Sequence, residues 1–376
     1  KLEMQEIDYS SLKPADWLPT SVKEMKALGW TEVDVVLFSG DAYVDHPSFG
    51  VAVIGRTLQA AGYRVAIVPQ PNWQDDLRDF RKLGIPRLFF GISPGAMDSM
   101  VNHYTANRRR RSDDAYTPGG RHGMRPDYPS VVYSKILKDL YPDVPVIAGG
   151  IEASLRRLSH YDYWQDRLRP SLIVDAPVDM ISYGMGEKTV IEIARRLDAG
   201  GNLADMTDVP QTVVLLSRSL MPDADDNNII LSSYEQCLKD KKKQSENFKH
   251  IEQQSNSMSG GAVLWQVTGD KVVKVNPMYP AMTQGEIDAA FDLPYTRLPH
   301  PRYKGKRIPA YEMIRHSVNL HRGCFGGCAF CTISAHQGKF IASRSQRSIL
   351  HEVRQVTRMP DFKGYISDLG GPSANM

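Results

Sequence analysis

Short apolar runs alternate with amphipathic segments through the first half of the chain. Residues 33–38 form one such run, and residues 50–61 carry apolar positions at helical spacing until Gly62 stops them. A second run at residues 63–68 completes a strand-helix-strand unit. Ahead of it, Ser21-x-x-Glu24 has capping-box spacing and predicts a short helix ending at Gly29. The same pattern predicts strands at 87–91, 145–148 and 179–183, and a helix over 187–197. Strands that alternate with helices in this way imply an α/β fold, a doubly wound parallel sheet.

Ligands of such sheets sit beyond the carboxyl ends of the strands. The loops that fit are Ser39-Gly40-Asp41 with Asp45-His46-Pro47, then Ser93-Pro94-Gly95, Gly149-Gly150-Ile151-Glu152 and Gly184-Met185-Gly186-Glu187. Turns also need glycine, so each loop alone says little, and their recurrence after successive strands is what suggests a cleft. Asp41, Asp45 and His46 are candidates to face a ligand, against turn capping as the commoner work of aspartate. His160, Tyr161, Asp162, Tyr163 and Trp164 follow Arg156 and Arg157 and fit a domain interface ahead of a substrate site.

The pattern changes after residue 222. Residues 223–258 are polar around one predicted helix and read as an exposed insertion or linker. A hairpin is predicted at 262–267 and 271–275 about Gly269-Asp270, and Thr283-x-x-Glu286 starts another helix. Residues 316–320 read as a strand, Ile349, Val353 and Val356 mark one face of a helix, and residues 364–369 read as a strand ending in Gly370-Gly371-Pro372. The expected organisation is an N-terminal Rossmann-like domain (1–222), a polar insertion (223–260), a connecting segment with hairpin and helix (261–310) and the start of a second βα unit (311–376).

Composition narrows the class. With 376 residues, 41% hydrophobic and 24% charged, the chain has the profile of a soluble protein, and no apolar run is long enough for a membrane span. A net charge of +3 is too small to signal nucleic-acid binding. The arginine run 108–111, followed by Ser112, Asp113 and Asp114, reads as solvated or internally paired. The start, Lys1-Leu2-Glu3-Met4, lacks the order of a signal peptide and an initiator methionine, so a trimmed, non-secreted chain is expected.

Cysteine carries the chemistry. The chain has 4 cysteines; Cys237 stands alone and the others fall together in Cys324-x3-Cys328-x2-Cys331. A tight odd trio is a poor disulfide framework and points to a reducing, cytoplasmic setting and a metal role. Three thiolates on one loop can ligate three corners of a cubane cluster, and with no fourth cysteine nearby one iron stays open to a small molecule. Gly323, Gly326 and Gly327 suit a loop that needs unusual dihedrals and amides facing sulfur. Zinc is the weaker alternative: His321 or His336 offers a fourth ligand, yet the first gap is three residues and the second Cys pair is missing.

Cys324-x3-Cys328-x-Phe330-Cys331 after a strand resembles the signature loop of the radical S-adenosylmethionine (SAM) superfamily. The resemblance implies a 4Fe-4S cluster on Cys324, Cys328 and Cys331, SAM on its open iron, and Phe330 against the SAM adenine. It further implies that Gly370, Gly371 and Pro372 contact the SAM amino group, through backbone carbonyls because Pro372 stands where many members carry Glu. The segments 40–50, 149–157 and 366–372 look like the YgiQ family of bacterial radical SAM proteins, whose members continue past residue 376. Only the first two strands of the partial (β/α)6 barrel are then expected here, and the chain alone is expected to be inactive. The N-terminal sheet is similar, more faintly, to cobalamin-binding domains. Its Asp45-His46-Pro47-Ser48-Phe49-Gly50 departs from the Asp-x-His-x-x-Gly pattern that supplies the lower cobalt ligand, which ranks cobalamin below a sheet that has lost it.

The implied activity is reductive cleavage of SAM to methionine and a 5'-deoxyadenosyl radical that abstracts hydrogen from an unknown substrate. An electron donor such as flavodoxin or ferredoxin is the implied partner. The alternatives are a cobalamin-dependent radical SAM methylase and a non-catalytic iron-sulfur or SAM-sensing module.

Overall fold

The strands of the main sheet in the first half send alternate side chains into two apolar layers, as the period of two requires. In β1 (Val35–Ser39), Val35 and Leu37 pack to one side of the sheet and Val36 and Phe38 to the other. The same division runs through β2 (Val65–Pro69), β3 (Phe89–Ser93) and β4 (Val146–Ala148): Val65, Ile67, Phe89 and Ile147 join the first layer, and Ala66, Val68, Phe90, Ile92 and Val146 the second. Burial on both faces is what the helices of a doubly wound sheet supply. Helices Gly50–Ala60 and Glu187–Asp198 cover the first layer, and Pro129–Leu140 the second.

The computed structural model describes residues 6–258, 261–328 and 330–372. A small hairpin, β5 (His160–Asp162) with β6 (Arg167–Arg169), stands apart from the main sheet. The main sheet continues with β7 (Met180–Ser182), β8 (Thr212–Ser217), β9 (Asn228–Ile230), β10 (Val263–Thr268) and β11 (Lys271–Val275). Its 9 strands run in the order β2-β1-β3-β4-β7-β8-β11-β10-β9. The first five in that order pair in parallel, and β8, β11 and β10 add antiparallel pairings before β9 joins β10 in parallel. The fold is mixed α/β around a large, mostly parallel sheet. Strand order reverses between β1 and β3, where loops diverge and leave a crevice at the carboxyl edge.

Several expectations shift. β1, β2 and β3 each begin two residues later than the apolar runs suggest and extend to Ser39, Pro69 and Ser93, because the ladder pairs Ser39 with both Pro69 and Ser93 whatever their polarity. Residues 223–258 are more than a linker. They hold β9 and two helices, Tyr234–Lys239 and Lys241–Ser255, and the buried Asn247 side chain donates to Ser232 O and Cys237 Sγ. The main sheet therefore crosses the boundaries expected at 222 and 260. The Thr283 capping box forms as read, with Thr283 Oγ1 accepting from Glu286 N and Glu286 Oε2 accepting from Thr283 N. At the other predicted box, Ser21 Oγ accepts from Glu24 N while Glu24 bonds Thr20 instead.

The C-terminal part holds the short strands β12 (Ser317–Asn319), β13 (His321–Arg322), β14 (Ala342–Ser343) and β15 (Asp368–Gly370). β12 and β15 pair in parallel, joined through helix Gln346–Thr357, whose Val356 is buried against the first apolar layer.

Asp34, just before β1, ties the sheet's amino edge together by accepting from Arg64 and Arg87 at 2.8 and 2.7 Å. Burial pushes its carboxyl up, but the Arg64 and Arg87 hydrogen bonds outweigh burial and hold it down at about 2. A carboxyl held below its unfolded value stabilises the fold above that value, and the contribution is lost as pH falls through the folded one. Asp34→Asn is expected to cost stability at neutral pH and to converge on the wild type between about pH 4 and pH 2 in denaturant melts taken across that range.

Candidate functional site

The cysteine loop leaves β13, which is held on both sides. β13 pairs antiparallel with β14, and Leu320 N donates to Gly370 O at 2.7 Å. Gly323 then turns the chain with φ of +87°, and a Cβ there would lie 2.0 Å from Phe340 O. Backbone oxygen cannot move aside as a side-chain tip can. Gly323→Ala is thus expected to destabilise by about 1–3 kcal/mol, measured by chemical denaturation. Cys324 N donates to Gly338 O at 3.1 Å, and Cys331 N to Cys328 O at 3.0 Å, which closes the loop on itself.

All three thiols are free, with Cys328 exposed and Cys324 and Cys331 half-buried. Two sulfurs converge on Gly326: a Cβ at that position would sit 3.4 Å from Cys324 Sγ and 3.7 Å from Cys328 Sγ. Among the described residues no group of three or more His, Cys, Asp or Glu side chains is gathered to hold a metal ion. Neither zinc candidate histidine joins the cysteines. His336 Nδ1 lies 2.8 Å from Ser154 Oγ, and burial pushes its imidazole down to about 4, so it is neutral. His321 lies under the Gly370-Gly371 turn, where a Cβ on Gly371 would be 2.1 Å from its Cε1. That contact puts the Gly-rich turn directly beside the entry to the cysteine loop. Phe330 is 89% exposed.

Two contacts fasten the loop's ends to the sheet. Before it, the Arg322 guanidinium pairs with Glu187 in a bridge with both side chains buried, and stacks over Phe291 with 4.9 Å to the ring centre. After it, helix Ile333–Gln337 packs on helix Gly150–Leu155 through the His336–Ser154 bond, and Ser154 Oγ also accepts from Gly184 N at 2.8 Å. The Lys339–Glu252 pair at 2.6 Å adds a third link.

Between the sheet and the segments flanking the cysteine loop lies a cavity of about 440 Å³. Its walls include Ser93, Gly149, Gly150, Ser182, Gly184 and Glu187 from the sheet's carboxyl edge, and His321, Arg322, His336 and Pro372 from the other side. All four glycine-bearing loops picked out by sequence therefore meet there, the first through Pro47 and the adjoining Ser48 rather than its acidic residues.

Asp41, Asp45 and His46 are structural. Asp41 and Asp114 flank the buried Arg125, each at 2.9 Å, and burial raises the Asp41 carboxyl to about 6 despite Arg125. Asp45 takes the buried Arg56 guanidinium together with Thr296 N. His46 Nδ1 accepts from Ser48 N, and burial pushes the ring well below the usual histidine range. His46 does not line the cavity. The group 160–164 forms the β5–β6 hairpin and its turn, where Trp164 stacks on Tyr104 at 3.9 Å and Asp162 accepts from Tyr128. In the arginine run, Arg108 and Arg111 donate to backbone carbonyls of Tyr163, Val101 and Tyr104, so they are internally paired.

Residues 17–317 match the Radical SAM N-terminal family. The chain belongs to that family. The match ends just before the cysteine loop. The chain is 66% identical over 361 residues to a UPF0313 protein of Porphyromonas gingivalis, covering 96% of this chain and 57% of that protein. A UPF0313 protein of Bacteroides thetaiotaomicron is 64% identical, with 96% and 60% covered. The chain thus spans less than two-thirds of these relatives' length. Among solved structures, the radical S-adenosylmethionine methyltransferase TsrM of Kitasatospora setae aligns with a TM-score of 0.46 at 15% identity, over 91% of this chain and 48% of that one. No helix among the described residues is long and apolar enough to cross a membrane.

Proposed function

We propose that this chain forms the sheet and cluster-loop portion of a radical SAM enzyme acting on a small molecule held between the two. One observation carries the reading: a single cavity is walled by the sheet's strand-end loops on one side and by His321, Arg322 and Pro372 on the other. Those residues adjoin Cys324 and the Gly-rich turn. The high identity to UPF0313 proteins agrees with the YgiQ-family resemblance of the motifs.

The donor set fits a 4Fe-4S cluster by its chemistry. Three thiols on a compact loop suit three irons and leave the fourth for SAM, and Gly326 leaves space beside two of the sulfurs. Bound there, cluster and SAM supply one-electron cleavage of the sulfonium C–S bond to methionine and a 5'-deoxyadenosyl radical able to take hydrogen from substrate. The chain's own residues orient and enclose. Arg322 with Glu187 and His336 with Ser154 fix the two ends of the loop on the sheet. The backbone carbonyls of Gly370, Gly371 and Pro372 would serve the SAM amino group in this reading, with Gly370 O also accepting from Leu320 N.

The test uses the full-length protein, reconstituted anaerobically and supplied with SAM and dithionite, or with reduced flavodoxin or ferredoxin as electron donor. Release of 5'-deoxyadenosine is expected. None from a protein with an intact cluster would overturn the reading, and a SAM-dependent change in the cluster's EPR signal without cleavage would favour a sensing module instead.

A further inference from the structure

The net charge of +3 over the whole chain conceals one basic surface. Arg108, Arg109, Arg110, Arg111, Arg121 and Arg167 are all exposed, and among the described residues none of the six lies in an ion pair. Four of them donate to uncharged groups instead: Arg108 to Tyr163 O, Arg111 to Val101 O and Tyr104 O, Arg110 to His122 and Arg167 to Gln165. Such acceptors take a hydrogen bond without cancelling the charge. The guanidiniums of Arg109 and Arg121 have no partner among the described residues. Exposed arginines elsewhere on the chain do find carboxylates, as Arg78 does with Asp76, Arg195 with Glu192 and Arg358 with Glu6.

Two segments bring these arginines together. Residues 104–110 form a tight finger, closed by Thr105 N donating to Arg109 O at 2.8 Å and Arg108 N to Thr105 O at 2.9 Å. At its tip Arg108 has φ of +57°, a conformation that residues other than glycine seldom adopt. The Tyr104–Trp164 stack and Arg108 Nη2, 2.5 Å from Tyr163 O, seat the finger on the β5–β6 hairpin, where Arg167 stands in β6. Arg110 Nε lies 3.1 Å from His122 Nδ1, which brings Arg121 alongside. The carboxylates of this region are engaged with hydroxyls or histidine: Asp113 with Ser112, Asp127 with His103 and Tyr104, Asp162 with Tyr128 and Asp166 with Tyr161. The six guanidiniums outnumber them, and the face stays positive.

Charge alone admits any polyanion, and two features narrow the choice. Residues 103–123 and 158–171 carry their positive charge on arginine and contain no lysine. The planar fork of arginine matches a phosphate bidentately and stacks on a base, where lysine offers a point charge. Tyr161 is 58% exposed, with its hydroxyl held by Asp166 and close enough to Arg108 to feel that charge. Exposed rings set among cations suit a single strand, whose phosphates meet the guanidiniums while a base stacks on the ring. An acidic polypeptide would engage the guanidiniums and leave the ring idle. We infer that the 104–122 segment and the β5–β6 hairpin form a binding surface for single-stranded nucleic acid. The inference goes beyond the radical SAM reading and does not rest on it.

Binding needs neither cluster nor SAM, so it is tested on the chain itself under reducing conditions. The probe is a fluorescein-labelled single-stranded RNA of about 12 nucleotides, followed by anisotropy. Saturable binding is expected, weakening as salt rises with a slope of log affinity on log salt of about −0.7 for each phosphate held. Arg109→Gln with Arg121→Gln removes two guanidiniums that support no contact within the fold. This variant should bind about tenfold more weakly, with a slope shallower by about 1.4. Lys23→Gln with Lys26→Gln takes the same charge from the exposed side of helix Val22–Ala27 and should change neither quantity. Tyr161→Ala should weaken binding about fivefold or more at an unchanged slope. No saturable binding by the wild type at low salt, or equal losses in the lysine and arginine variants, would overturn the inference. Wild-type affinity in Tyr161→Ala, or displacement of the RNA by poly-aspartate at matched charge, would overturn the choice of nucleic acid in favour of an acidic protein.

Discussion

Replacing Cys324, Cys328 or Cys331 singly with alanine in the full-length protein is expected to remove the iron-sulfur absorption and reduce 5'-deoxyadenosine formation to background. Each thiolate would hold one iron of the cubane, and a cluster with two protein ligands has neither a fixed position nor a single open corner. Cys237→Ala supplies the contrast. Cys237 is buried beside Asn247, far along the chain from the loop, and burial pushes its thiol up. A raised, buried thiol is a poor ligand, so this variant should keep full cluster content and lose at most about 1 kcal/mol of stability. Anaerobic absorption spectra and product chromatography on the four variants check the pattern. Retention of the chromophore in any of the three loop variants would contradict it.

The second large effect belongs to the Arg322–Glu187 pair. Both side chains are buried, at 8% and 7% exposure, so removing one leaves the other charged and unpaired. Arg322→Ala is expected to cost about 3–5 kcal/mol in denaturant unfolding. Arg322→Met with Glu187→Gln should recover much of that, because the desolvation of both charges is removed with their attraction. A double-mutant cycle isolates the coupling. A loss below about 0.5 kcal/mol for Arg322→Ala would show that the loop is docked by other contacts.

This pair also shows where sequence reading stops. The cysteine motif was legible because its chemistry is local: eight consecutive positions carry the donor types, the spacing and the glycines. The alternating sheet was legible too, since apolar periodicity is a local signal, and β7 and helix Glu187–Asp198 fall where the pattern puts them. Arg322 and Glu187 lie 135 positions apart, and nothing in either neighbourhood marks them as partners. Asp41 and Asp45 misled for the same reason. They follow the first strand as ligand-binding residues do, yet the buried Arg125 and Arg56 that claim them arrive from later in the chain. The stretch 223–258 hid β9 because its apolar run, Ile229 to Leu231, is too short to show a period, and the strand forms on its neighbour's ladder.

In the proposed function, three neighbouring thiols carry an iron-sulfur cluster with one vacant corner. Metal and acid-labile sulfide analysis of anaerobically prepared protein tests it most directly. About four iron and four sulfide per chain, with negligible zinc, is the expected result. One zinc per chain without sulfide would contradict the account.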